Sequence, residues 1–289
     1  VRIAAAVQHL SAPEWRDREA AHQARADQLT AAHRARAARQ ERHPVEDFLF
    51  TYYSYKPSVL RRWHPGEGVE LADAATTDRA GWRWYRPGAA ADSMRVDGSA
   101  LRAERGSLLA NIGVILRATA NRAPGFGCFG LHEWAMVYRQ GEPRHPVPLR
   151  LGRDGTDAVV EAHELRCTHF DAFRFFTADA VPRNRQTPSR DRQAAFEQPG
   201  CLHAGMDLYK WAVKSGPVVP GELLLDAFTL ARDIRELDMR ASPYELTAWG
   251  YDPVPIETPE GKAEYVRAQR AFAERAGGVR ERLLAIIDG

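Results

Sequence analysis

Residues 200–289 constrain the fold most. Three stretches, about 201–214, 222–239 and 260–287, repeat apolar residues at helical spacing, with Pro217, Pro220, Pro243, Pro253, Pro255 and Pro259 between them. Proline lacks the amide hydrogen a helix interior needs, so a helix must stop at each cluster and restart after it. In the second stretch Leu224, Leu225, Phe228, Ala231 and Ile234 share one face. Helices of this kind bury their stripes against one another. The expected fold is mainly α (α+β): a single α-rich domain over residues 1–289 with a small β element.

The rest of the chain fits that frame. Ser11 and Glu14 have capping-box spacing and Pro13 suits a first turn, so a helix is expected over about 11–40. His43-Pro44 ends it. Residues 67–105 read as short strands or loops, with Trp82, Trp84 and Tyr85 alternating as in a strand. Residues 101–120 return to helical periodicity through Leu108, Leu109, Ile112, Ile115 and Leu116. Asp154-Gly155, between apolar runs, reads as a hairpin or strand–turn element.

Several classes are disfavoured. No run of 18 apolar residues exists, so no membrane partner is expected. The first fifteen residues lack a signal-like apolar core with a cleavage site, which reads as cytoplasmic. Cys128, Cys167 and Cys201 are odd in number and widely spaced, which argues against a disulfide framework or a cysteine-rich zinc site. The net charge of +2 is too mild to imply a nucleic-acid partner. Of 40 basic residues only Lys56, Lys210, Lys214 and Lys262 are lysines. That bias has two readings: an arginine-favouring codon composition, or planar recognition of phosphate.

Chemistry concentrates in the central segment, about 164–211. There His169 and Asp171 precede Phe173 and Arg174, a loop carries Arg183, Arg185, Arg190 and Arg192, and His203, Asp207 and Lys210 follow at i, i+4 and i+7 of a helix. A His–Asp pair can orient an imidazole for acid–base work. His169, Asp171 and His203, with His132 as a further donor, have the residue types of a two-histidine, one-carboxylate metal site for iron or zinc. His132-Glu133 lacks the second histidine of a zinc-protease helix, and no nucleophile elbow is present. Upstream, Tyr52, Tyr53, Tyr55, Arg61, Arg62 and His64 interleave rings and cations, as a surface that stacks bases and holds phosphates requires. A core helix with Phe48, Leu49 and Tyr52 inward is the structural alternative.

Hydrolysis of an N-glycosidic bond needs an aromatic slot, a carboxylate near the sugar and basic contacts to phosphate, and no cofactor. Asp171 or Asp207 could supply the carboxylate, Tyr52, Tyr53 and Phe173 the slot, and His169 and His203 the polar orienters. Segments 52–64, 126–133, 167–175 and 201–210 are expected to meet at one cleft.

The strings YYSYKPSVLRRWHPG, GCFGLHEWAMVYR, RCTHFDAFRFF, EQPGCLHAGMDLYKWA and ARDIRELDMRASPY resemble a group of actinobacterial proteins commonly labelled 3-methyladenine DNA glycosylase, over about residues 10–285. The resemblance implies base excision from alkylated DNA, with DNA or a nucleoside as partner. The Gly-rich hairpin of the helix-hairpin-helix glycosylases is missing from this sequence, so that fold is not expected. Two other readings stand beside it: a metal-dependent enzyme, and a nucleic-acid-binding protein using arginines in 34–42, 61–62 and 183–192.

Overall fold

A computed structural model describes residues 7–141 and 146–289. Helix makes up 57% of it against one small four-stranded sheet, so the fold is mainly α. Strand β1 (Gln8–Leu10) leads into helix α1 (Ala12–Ala38), and the short helices α2 (Phe48–Tyr52) and α3 (Pro57–Arg61) follow. Strands β2 (Val69–Leu71), β3 (Tyr85–Pro87) and β4 (Met94–Val96) come next. The sheet order is β1-β2-β4-β3, with β1 parallel to β2 and the other pairs antiparallel. The remaining helices are α4 (Gly98–Ala120), α5 (Leu131–Ala135), α6 (Gly152–Glu161), α7 (Phe170–Phe173), α8 (Gln193–Phe196), α9 (Leu202–Ser215), α10 (Gly221–Arg240) and α11 (Pro259–Asp288).

Local chemistry accounts for the boundaries. At the start of α1 the Ser11 amide donates to the Glu14 carboxylate at 2.8 Å, with Pro13 in the first turn. Pro220 and Thr258 cap α10 and α11, and the Thr258 hydroxyl accepts from the Gly261 amide. The inward stripe Leu224, Leu225, Phe228, Ala231 and Ile234 is buried. Helices α9, α10 and α11 pack together, and α4 lies on α11. Gly205 of α9 lets α10 approach closely, since a Cβ there would sit 2.8 Å from Ile234. No described helix is long and apolar enough to cross a membrane.

Two local expectations are corrected. Asp154-Gly155 lies inside α6 and makes no hairpin. Asp154 falls in the helix's first turn, where a carboxylate suits the dipole, and Thr156, Val159 and Val160 form its buried stripe at helical spacing. Of the expected Trp82–Tyr85 strand only Tyr85 is in β3. Trp84 has φ 60°, a left-handed conformation incompatible with a continuous strand.

Candidate metal centre

The polar face of α9 turns inward. His203 and Asp207 are buried and the Lys210 side chain is 12% exposed, so three polar groups line the inside of a helix packed by Leu208 and Tyr209. Neighbouring segments are pinned around it. The Gln198 side-chain oxygen accepts from the amides of Gly125 (2.6 Å) and Gly200 (2.7 Å), and Gln269 donates to the Gly200 carbonyl. Asn184 pairs both backbone groups of Cys167, which fixes the approach to His169. Gly130 caps α5 at φ 72°, turning the chain so that His132 and Trp134 point into the core.

Two buried groups result. The first is His132, His203 and Asp238, whose candidate ligand atoms lie within 4.8 Å of one another. His132 Nε2 and Asp238 Oδ1 form a close buried ion pair at 2.9 Å, off the alignment of a good hydrogen bond. Together with His203 these atoms lie close enough that a cation could take the place of the His132 proton between them. First-row ions take such donors at about 2.0–2.2 Å, which places donors roughly 3–4 Å apart. The surroundings orient the donors: Cys128 Sγ is 3.6 Å from His132 Nδ1, and Arg235 donates to Asp238 Oδ2 (3.3 Å) and Glu133 (2.8 Å). Burial and the nearby His132 ring hold the His203 pKa well below the ordinary histidine value, so its imidazole is neutral and ready to ligate. Burial opposes charge on His132, but Asp238 outweighs it and holds the pKa well above the ordinary value.

The second group is His169, Glu197 and Asp207. Its charges are already matched. His169 Nε2 hydrogen-bonds Asp207 at 3.2 Å and lies 3.2 Å from Glu197. Burial works against its charge, yet the two carboxylates raise its pKa to about 9. Asp207 also accepts from the Tyr53 hydroxyl at 2.8 Å and from Lys210. His203 joins the two groups: its ring centroid is 4.4 Å from that of His132 and 5.3 Å from that of His169.

The four segments expected to meet do contribute to this cluster, through Tyr53, His132, His169 and His203, as side chains packed in the interior. Asp171 stays outside the two groups, 3.4 Å from each of Lys210, Arg174 and Arg190, with its side chain 16% exposed. Tyr53 and Phe173 are buried core rings and present no stacking face to solvent. Tyr52 is half-buried and stacks on Phe48, while Tyr55 packs edge-on to Tyr209. Arg61, Arg62 and His64 lie elsewhere: Arg61 pairs with Asp27, Arg62 covers Trp82, and His64 meets the Tyr85 hydroxyl. Of the other arginines, Arg36 pairs with Glu46 and Asp47, Arg39 with Glu41, and Arg183 contacts the carbonyls of Val160 and Glu161. Cys201 is the N-cap of α9, and burial pushes its thiol up, which leaves it unreactive.

Asp238 and Glu197 were not singled out from sequence, and Glu133 was considered only as part of a zinc-protease motif that is absent. Asp238 carried a signal: it lies four residues beyond Ile234 on the inward face of α10, where a carboxylate needs a buried partner. Comparison with family models, with curated proteins and with solved structures gave no match.

Proposed function

We propose that the protein is a metal-dependent enzyme, with His132, His203 and Asp238 as ligands to a divalent ion. The observation that carries this reading is the buried convergence of His132, His203 and Asp238, whose candidate ligand atoms lie within 4.8 Å of one another. Nitrogen and oxygen donors without a thiolate suit iron, zinc or manganese. When bound, such an ion supplies Lewis acidity and a water that ionises near neutral pH. The chain's own part is to exclude bulk solvent and to hold protons beside the ligands. His169 keeps a proton on Nε2 at neutral pH, held between Glu197 and Asp207. Lys210 and His169 hold Asp207 in its ionised form against burial, and the Tyr53 hydroxyl hydrogen-bonds it. In this reading His169, whose ring lies 5.3 Å from that of His203, is the group that holds a proton beside the ligands for general acid chemistry.

The N-glycosidic hydrolysis implied by the family resemblance has less support from the geometry. It needs an accessible aromatic slot, and Tyr53 and Phe173 are packed into the core. Elemental analysis of untagged protein separates the readings. About one equivalent of iron, zinc or manganese is expected, lost in Asp238→Asn and His132→Gln and kept in Asp171→Asn. A preparation that neither contains nor takes up these ions would overturn the proposal. Release of free base from methylated DNA by metal-free protein would put the glycosylase reading in its place.

A further inference from the structure

A second polar region lies away from the buried centre. Helix α1, helix α3 and the 3-10 turn Asp78–Gly81 enclose a cavity of about 610 Å³, within the range of small-ligand sites. Its lining includes Trp15, Arg16, Arg61, Arg62, Arg79 and Trp82. The arginines are backed by indole rings. Arg16 lies 5.0 Å from the Trp15 ring centroid and Arg62 lies 5.0 Å from that of Trp82. Arg79 is 97% buried and sits 4.7 Å from Trp15, 5.6 Å from Trp63 and 5.0 Å from Trp82.

Charge here is unevenly matched. Arg79 pairs with Glu19 at 2.6 Å and Arg61 with Asp27 at 3.0 Å. Arg16 and Arg62 have no carboxylate within ion-pair distance among the described residues, and the buried Arg79 Nε has no hydrogen-bond partner among them. Arg16 and Arg62 thus remain without an ion-pair partner beside a third, buried and incompletely bonded guanidinium, in a lining that also holds the carboxylates of Glu19 and Asp78. Stacking on an indole fixes the guanidinium plane and leaves its N–H edge free, so less side-chain freedom is lost when it meets an anion. A planar fork of donors matches the oxygens of a phosphate group.

We propose that this cavity binds the phosphate group of a phosphorylated ligand, with Arg16 and Arg62 contacting its oxygens and Arg79 forming the charged floor. The site stands on its own residues and does not depend on the metal reading. A nucleotide or a nucleic-acid strand would present the same group, and the experiment distinguishes them.

The protein is titrated with inorganic phosphate, adenosine, adenosine monophosphate and a short single-stranded DNA, with tryptophan fluorescence as the readout because Trp15 and Trp82 line the cavity. Saturable changes are expected with the phosphate-bearing probes and none with adenosine. Arg16→Gln and Arg62→Gln should each weaken binding at least roughly tenfold, the loss of one charge-assisted hydrogen bond. Circular dichroism should stay unchanged, since both side chains are exposed. Asp238→Asn should bind as the parent does, which separates this site from the buried centre. Stronger binding of the DNA than of the mononucleotide assigns a strand as the source, and the reverse order assigns a small phosphomonoester. No saturable binding of any phosphate-bearing probe at millimolar concentration, or affinity unchanged in the Arg16→Gln/Arg62→Gln double variant, overturns the proposal.

Discussion

On one side of His203, His132 and Asp238 form a single close ion pair at 2.9 Å. On the other, His169 hydrogen-bonds Asp207, and Asp207 is further held by Tyr53 and Lys210. Both groups are buried and both combine imidazole with carboxylate. The difference lies in how charge is matched. The second group carries its own cation, because Lys210 reaches in from one turn further along α9. In the first, Arg235 is shared between Glu133 and Asp238, and Asp238 Oδ1 has only His132, whose charge it favours, as its partner. A residue list alone would rank the two as equal metal sites. Counting the bonds already made is why the first group is the one proposed to hold an ion and the second to hold a proton.

The largest test of this contrast removes the built-in cation. Lys210→Met leaves Asp207 buried without its closest positive partner, and breaking a buried pair from one side costs about 3–5 kcal/mol. Denaturant unfolding should show that loss, while metal content stays at the parent level. A Lys210→Met protein that loses its metal would show that the two groups work as a single site. The Lys210→Met/Asp207→Asn double variant should recover part of the stability, because contacting residues couple.

Metal linkage gives the next effect. At a thousandfold excess over its dissociation constant, an ion that binds only the folded state adds about 4 kcal/mol of stability. The parent protein and Glu197→Gln should both gain melting temperature on addition of the ion, and Asp238→Asn should gain none. Equal gains in all three would place the ion outside the first group. A smaller change tests the rim of the second group. Tyr53→Phe removes the 2.8 Å hydrogen bond to Asp207 and should cost about 1.5–3 kcal/mol, as expected for a bond to a charged acceptor. The cavity left behind is one oxygen in size, so a greater loss would mean that Tyr53 also positions Tyr55 and Tyr209, whose rings pack against it.

How far the sequence carried each part follows from the range of the interactions. Helices α9, α10 and α11 were legible because apolar periodicity and prolines are local signals. His203, Asp207 and Lys210 were legible as one face for the same reason. The partners were not, because Glu197 and Asp238 enter through contacts between segments far apart in the chain, which no spacing rule encodes. Asp171 drew attention through its place beside His169, but α7 begins at Phe170 and turns the two side chains apart. Helix α6 was misread because an Asp-Gly pair serves a tight turn and a helix's first turn equally well. The spacing of Thr156, Val159 and Val160 was the discriminating signal.

A third buried carboxylate sharpens the comparison at the lowest energy. Glu70, on β2, is 2% exposed and is held by neutral donors: the Ser93 hydroxyl at 2.7 Å and the amides of Ala89 (3.0 Å) and Ala90 (2.8 Å). The nearest titratable cation is exposed His9, at 4.0 Å. The Ser93 hydroxyl and the two amides lower the Glu70 pKa from the ordinary 4.5 to about 2. A carboxyl whose folded pKa lies below its unfolded value adds stability above the unfolded value, and loses it as pH falls through the folded one. Glu70 should therefore support the sheet fully above pH 4.5 and progressively less down to about pH 2. Glu70→Gln keeps the shape and one acceptor oxygen but removes the charge and turns an NH2 toward one of the donors, so at neutral pH it should be less stable than the parent. Denaturant unfolding of parent and variant across that window is the measurement. The two stability curves should converge as pH falls, since the parent carboxyl becomes neutral like the amide. Curves that stay parallel would mean that Glu70 is held by shape and not by its charge, and that the contrast between neutral and charged compensation does not extend beyond the buried centre.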